Sequence, residues 1–329
     1  MAFACHNIST DYDQITADLK KDGVVVINNI LPFEKCNDLI SQTIAGFSKI
    51  NPALDVNNIR ETWTKPNLPP QTRTGMFQSI VCNLDPIIEV RENPDLIKLF
   101  KEIYSRLRSE PIDELVCSID GINIKPNELG PYKNPISKDW AHIDQTIRGE
   151  PYKCLQGQMV LANTSAAFRC SPRSHLIYDK ILATCGISAE DKTNWGIIPR
   201  DKYSKCKELV ESVGGKWQIP VIVPAGSFII WLSSTIHSAV HSDKKENPRQ
   251  DQPWFGWRAV YYITYRPKNE FTAKQLDRIE INKANNRVMN HWTTKLFPKS
   301  SRFTPTKDYH ENIQKYIIEP KLVYDVLAA

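Results

Sequence analysis

The pentapeptide AHIDQ places an imidazole, His142, and a carboxylate, Asp144, two positions apart, and a second histidine, His237, stands in STIHSAVH much later in the chain. On a strand, residues i and i+2 point to the same face, so one short segment can offer both groups to a single metal ion without leaving its ladder. Two histidines and one carboxylate on one face of Fe(II) leave the opposite positions open for a co-substrate and O2. His241 is the rival for the second histidine. It falls where the chain turns polar, in HSDKKENPRQ, whereas His237 ends a hydrophobic run that begins at Gly226. The sequence therefore favours His237.

The elements that must position these groups follow from periodicity. DYDQITADLKKDG, VVVINNI and LPFEKCNDLISQTIAGFSKI read as helix, strand and helix, with Pro32 suited to a first turn and Cys36, Leu39, Ile40, Ile44 and Phe47 at helical spacing. Residues 51–83 are rich in Pro, Asn and Thr and read as a long surface loop. A helix opened by NPDL follows, carrying Leu96, Leu99, Phe100, Ile103 and Leu107 on one face. ELVCSIDGINI, DWAHIDQTI, KCLQGQMVLANT, QIPVIVP, SFIIWLS and RAVYYITYR then read as strands separated by turns. An insertion over about 176–217 carries a helix, DKYSKCKELVESVGG, closed by its glycines, and the chain turns helical again beyond Pro267. These elements imply a mainly β fold with flanking helices around a double-stranded β-helix (jelly-roll, cupin-like) core. A single domain over 1–329 is expected: helices, a strand and a candidate lid over 1–110, the core over 111–267, and a helical extension over 268–329.

The composition suits a soluble globular protein, with 41% hydrophobic and 24% charged residues among 329. The N-terminal residues do not read as a signal sequence, and the most apolar stretch, IPVIVPAGSFIIWL, is too short and too interrupted to span a bilayer. A soluble, intracellular, cytoplasmic protein with no membrane partner is expected. Eight cysteines show no CxxC pair, which argues against a zinc knuckle or a small disulfide framework and for reduced thiols. From Arg266 to Phe303 nine Lys/Arg stand against three Asp/Glu. A solvated helical face explains this simply, and an anionic partner is the sharper alternative.

The anchors AHIDQ, CLQGQMVLANTSAAFRCSPRSH and AGSFIIWLSSTIHSAV followed by WRAVYYITY resemble the phytanoyl-CoA dioxygenase family of Fe(II)- and 2-oxoglutarate-dependent oxygenases. The resemblance covers roughly Asp22 to Phe303, and DGVVVINNILPFEKCNDLI looks like that family's opening strand and helix. It implies His142, Asp144 and His237 as iron ligands, with 2-oxoglutarate and O2 as co-substrates and succinate and CO2 as products. Retention of Asp144 argues against a halogenase, so hydroxylation of an unactivated C–H is the reaction implied. A chelated 2-oxoglutarate would bury its far carboxylate, which needs a cation, and arginine's planar fork answers best. Arg258 lies on the WRAVYYITY strand, where Arg258, Val260 and Tyr262 would alternate inward. Its competitor Arg249 sits nearer the family's usual spacing but within the solvated KKENPRQDQP, so an insertion over about Ser242 to Trp257 is the better account.

Gln156 and Gln158 share a strand face, which could be an outward polar one or could bind the co-substrate or substrate; Gln156 matches the family's glutamine more closely. Lys125 could reach an acidic group near the metal, but a surface lysine at a strand end is the simpler reading, and His175 reads as part of a structural turn. Ala166 and Ala167 stand where the family shows glycines, and Arg173 replaces the glycine inside the turn. Residues 51–83, with Arg60, Trp63, Arg73 and Met76, are the candidate lid. The expected substrate is a small molecule or an amino-acid-type compound. Two other readings stand beside it: an oxygenase acting on nucleic acid or protein, motivated by the basic segment 266–303 with Trp292 and Phe297, and a non-catalytic β-helix binding protein.

Overall fold

The computed structural model describes residues 3–8, 11–72, 75–126, 140–163, 168–188, 195–239, 253–284 and 288–289. His241, Arg249, Ala166, Ala167, Arg73, Trp292 and Phe297 lie outside the described residues. In chain order the N-terminal third holds β1 (Cys5–Asn7), α1 (Tyr12–Asp22), β2 (Val24–Asn28), α2 (Phe33–Ile50), α3 (Ile59–Thr62), α4 (Asp85–Arg91) and α5 (Pro94–Arg108). Then come β3 (Leu115–Cys117), β4 (Ile122–Pro126), β5 (His142–Ile143), β6 (Leu155–Val160), β7 (Phe168–Cys170), α6 (Tyr178–Thr184), β8 (Gly196–Ile197) and α7 (Tyr203–Ser212). The remainder is β9 (Ile219–Val221), β10 (Phe228–Leu232), β11 (His237–Ala239), β12 (Trp257–Ile263), β13 (Tyr265–Pro267) and α8 (Ala273–Ala284). The architecture is mixed, a β-rich core of antiparallel sheets wrapped by helices. Helical residues exceed strand residues among those described, so "mainly β" understates the wrapping.

A six-stranded sheet runs β1-β2-β10-β6-β12-β4, and a five-stranded one β8-β5-β11-β7-β9. All their pairings are antiparallel except β1 with β2. The N-terminal β2 is thus integral to the sheet built by strands beyond residue 111. The inward residues of both sheets, Val24, Val26, Val160, Ile229, Trp231 and Val260 on one and Phe168, Cys170 and Val221 on the other, pack into one cluster. The alternate residues of the larger sheet, Val25, Ile27, Leu155, Met159, Phe228 and Ile230 among them, pack with Leu39, Ile40 and Phe47 of α2 and Leu99, Phe100 and Ile103 of α5. Period-two alternation therefore divides these strands between a helix-facing core and an inter-sheet space. Gly157 makes the outer packing feasible, because a Cβ there would lie 2.4 Å from the Phe228 ring.

Local signals explain most boundaries. Asp11 caps α1 by accepting from Asp13 N, and Gly23 ends it in the left-handed region at φ 75°. A side chain at Gly23 would also collide with His175 Nδ1 at 2.4 Å. His175 is buried, its Nε2 lies 2.8 Å from Lys20 O, and burial pushes its pKa down to about 4. It is a neutral, structural histidine, as the sequence implied. Pro32 caps α2 instead of occupying its first turn.

Several expectations are corrected. Residues 51–83 are not a simple surface loop: Leu54, Trp63, Leu68, Phe77, Val81 and Cys82 are buried in the main core, and Phe77 bridges to Ile122. Prolines and asparagines set the turns there, but apolar residues between them supply enough surface to anchor the segment. ELVCSIDGINI and RAVYYITYR each divide into two strands, β3 with β4 and β12 with β13. No helix among the described residues is long and apolar enough to cross a membrane.

Candidate metal centre

β10 belongs to the six-stranded sheet and β11 to the five-stranded one, so the turn Ser233–Thr235 carries the chain between sheets and delivers His237 at the first position of β11. Antiparallel register sets His237 directly opposite His142 on β5, and residues opposed across a ladder share a face. Their ring centroids lie 4.2 Å apart. β5 is only two residues long, so Asp144 stands just past its end, whereas the sequence suggested a position within the strand. It is held there by Asp144 N donating to Ser233 O at 3.1 Å, and next to it Ser233 Oγ donates to Gln145 Oε1 at 2.7 Å.

His142, Asp144 and His237 are all buried, and one ligand atom from each lies within 4.8 Å of the others. Asp144 Oδ1 is 3.7 Å from His142 Nε2, and Asp144 Oδ2 is 3.4 Å from His237 Nε2. Each imidazole turns its other nitrogen to a carbonyl: His142 Nδ1 to Trp140 O at 3.1 Å and His237 Nδ1 to Thr235 O at 2.9 Å. A carbonyl only accepts, so Nδ1 carries a proton, which leaves Nε2, the nitrogen on the Asp144 side, as the one available to a metal. That is the tautomer a metal-binding histidine needs, fixed by outer-shell hydrogen bonds. Trp140 stacks on His142 at 4.2 Å and 9°, and its indole donates to Ala239 O at 3.0 Å, tying both histidine strands together.

Gln156 Nε2 donates to Asp144 Oδ2 at 2.9 Å. Gln158 lies one pleat further along the same face, opposite Ile229 and Tyr262. Arg258 is buried and donates from Nη2 to Tyr262 Oη at 3.1 Å, and Val260 and Tyr262 share the inward face with it, in the expected alternation.

Lys125 corrects the sequence reading most clearly. Only 1% exposed, it is set directly opposite Arg258 by the β4–β12 register. Burial, reinforced by the Arg258 charge, lowers its pKa from 10.5 to about 7. The 51–83 segment reaches this lysine: a Cβ on Gly75 would lie 3.3 Å from its Nζ. The sequence reading thus assigned Lys125 to the surface and overlooked Trp140 and Trp231. The alternation of INIKP with Asn123 and Lys125 on one face was the available signal for the lysine; its pairing with Arg258 was not.

The donor set fits a divalent transition metal: two neutral imidazoles and one carboxylate, with every ligand buried. Trp231 Nε1 and Gln158 Oε1 are buried on the same inward face without a hydrogen-bond partner among the described residues, as groups that meet a polar ligand would be. Arg173 is held in an ion pair with Asp22 at 3.1 Å and adopts the left-handed region at φ 67°. In the basic segment beyond Tyr265, Arg266, Lys268 and Lys283 are each paired with a glutamate.

No family model matches this sequence, and no curated protein matches it. Solved structures do share its fold. A hypothetical protein, JW0805 from Escherichia coli, is 12% identical over 97% of this chain and 85% of its own, with a TM-score of 0.58. GlcNAc Inducible Gene 2, GIG2 (DUF1479), from Candida albicans is 13% identical over 95% and 79%, with a TM-score of 0.53. The epimerase SnoN, solved with Fe3+ and alpha ketoglutarate, is 13% identical over 77% and 82% at a TM-score of 0.48, a distance at which nothing of its chemistry transfers. The likenesses to JW0805 and GIG2 concern the fold alone.

Proposed function

We propose that this chain is an Fe(II)- and 2-oxoglutarate-dependent oxygenase with a double-stranded β-helix core, hydroxylating an unactivated C–H of a small-molecule or amino-acid-type substrate. The observation that carries the reading is the buried cluster of His142, Asp144 and His237, whose imidazole nitrogens are oriented by carbonyls toward a shared carboxylate. These three residues would hold the metal. Bound there, Fe(II) would supply O2 activation coupled to oxidative decarboxylation of 2-oxoglutarate to succinate and CO2.

The protein's own contribution is positioning and charge. Gln156 donates to Asp144 Oδ2 and so fixes the rotation of the carboxylate. Arg258 and Lys125, adjacent cations on the facing sheet, would take the far carboxylate of 2-oxoglutarate; an anion between two buried like charges offsets part of the cost of burying them side by side. Trp140, Phe168 and Trp231 pack around the two histidines and exclude water from the ligand side. The 51–83 segment, reaching Lys125 through Gly75, would cover the co-substrate end.

The test is Fe(II)-dependent conversion of 2-oxoglutarate to succinate by the purified chain, with and without a panel of small-molecule and amino-acid substrates. Succinate formation that requires Fe(II) and disappears in His237→Ala is the expected result. Failure to form succinate in a sample shown independently to bind Fe(II) would favour the non-catalytic binding protein.

A further inference from the structure

Cys185 and Cys206 are far apart in the sequence, yet their Sγ atoms lie 3.7 Å apart and share a hydrogen bond. Cys185 is the half-buried residue that ends α6, and Cys206 is buried in α7. Cys185 differs from the other thiols, Cys206 included, whose own thiol is pushed up by the Cys185 hydrogen bond and by burial. Cys36, Cys82, Cys117, Cys154 and Cys170 are buried and burial pushes each thiol up, whereas Cys5 is exposed and donates only to Phe3 O. Cys185 is shifted the other way, lowered first by the Cys206 hydrogen bond and further by the Lys202 charge. A partly exposed thiol beside a second thiol is the arrangement that exchanges with external disulfides.

We propose that Cys185 and Cys206 form a reversible thiol–disulfide couple that clamps the wall behind the candidate metal centre, an inference independent of the metal reading. With glutathione disulfide as oxidant, the Cys185 thiolate attacks one of its sulfurs and releases one glutathione thiolate. Cys206, giving its proton to solvent, then attacks the Cys185 sulfur of the mixed disulfide and releases the second glutathione. In sum two protein thiols lose two protons and two electrons, and glutathione disulfide is reduced to two thiols. The sulfurs need to close from 3.7 Å to a bonded separation of about 2.05 Å.

The loop that such a bond closes bears directly on the centre. It contains β8, whose Ile197 and Gly196 pair with His142 and Ile143. It contains Trp195, whose ring lies 6.1 Å from that of His142, and Tyr203, whose hydroxyl accepts from Ala141 N at 3.1 Å. Cys206 itself packs in the cluster that holds Ala141 and Ile143. Closing a loop removes conformations in which its interior segments open, so the bond would restrict the wall against which His142 is seated.

The experiment equilibrates the full-length protein with glutathione redox mixtures, blocks free thiols with N-ethylmaleimide and maps peptides by non-reducing mass spectrometry. The expected result is a Cys185–Cys206 cross-link that rises with oxidised glutathione and vanishes on reduction, while the five buried thiols stay unreacted. In Cys206→Ala the expected product is a stable glutathione adduct on Cys185; Cys185→Ser should leave Cys206 unmodified. Amide exchange across Trp195–Tyr203 should slow by about tenfold on oxidation of the native chain and stay unchanged in Cys185→Ser. A Cys185 adduct that persists with Cys206 free in the native chain, or cross-links that scatter among other cysteines, would overturn the couple. Unchanged exchange in the cross-linked protein would overturn the clamp.

Discussion

The two faces of the six-stranded sheet are equally buried and chemically opposite. Toward the helices β6, β10 and β12 present Leu155, Met159, Phe228, Ile230, Tyr261 and Ile263, with Phe100 of α5 edge-on to Phe228 at 5.9 Å. Toward the smaller sheet the same strands and β4 present Gln156, Gln158, Arg258 and Lys125 beside Val160, Ile229 and Val260. Apolar burial stabilises the fold, whereas burying cations and amides costs free energy unless something pairs with them. The outer face therefore holds the sheet together. The inner face carries amides and cations, the groups that a polar, anionic ligand would meet.

Substitutions in the inter-sheet space and on the helix-facing side should separate binding from stability. The largest effect is expected for Asp144→Ala, which should weaken Fe(II) binding by more than about 100-fold in anaerobic titration, since loss of a direct ligand should exceed the roughly 10–100-fold cost of losing an outer partner. Its cost to the metal-free fold should stay within about 1–3 kcal/mol, the desolvation of the Gln156 amide it strands. Phe228→Ala on the outer face should do the reverse, costing about 3–5 kcal/mol in urea unfolding and leaving Fe(II) affinity nearly unchanged. Were Phe228→Ala to lose metal as completely as Asp144→Ala, the division between the inter-sheet space and the helix-facing side would fail.

Smaller effects come from the paired cations. Arg258→Met should raise the 2-oxoglutarate dissociation constant by about 30-fold or more, since truncating one partner of a buried charge pair costs about 2–5 kcal/mol, while Fe(II) affinity holds. Lys125 should give the binding a pH dependence. In the free protein its pKa is lowered from 10.5 to about 7, so it is protonated below that pH and neutral above it. A carboxylate favours the ammonium form, so binding above pH 7 takes up a proton and affinity falls as pH rises, by at most about tenfold per unit. The same shift acts on folding with the opposite sense: between pH 7 and 10.5 the unfolded chain binds the extra proton, so the free protein gains stability with rising pH. Lys125→Met should flatten both slopes, measurable by calorimetry in buffers of differing ionisation heat.

The sequence exposed these parts unequally. His142, Asp144 and His237 were legible because AHIDQ is compact and the strand before His237 is strongly apolar. Arg258 was legible through alternation in WRAVYYITY. Lys125 was not, because its significance lies in the β4–β12 register, a long-range pairing that local pattern does not encode. That Gln156 and Gln158 share a face was legible, but that this face points inward and that Gln156 bonds Asp144 depend on how two sheets face each other. The buried anchoring of residues 51–83 was hidden by their Pro- and Asn-rich composition, which reports turns and says nothing of Trp63 and Phe77 between them, whose rings lie 6.4 Å apart. The closeness of Cys185 and Cys206 likewise arises only when α6 and α7 pack.

The central claim is that the space between the two sheets binds a metal and 2-oxoglutarate together, and anaerobic titration of Fe(II) and 2-oxoglutarate into the metal-free protein tests it most directly. A weak visible metal-to-ligand charge-transfer band is expected, absent in His142→Ala and requiring more 2-oxoglutarate in Arg258→Met. A protein that binds Fe(II) but develops no such band at saturating 2-oxoglutarate would contradict the account.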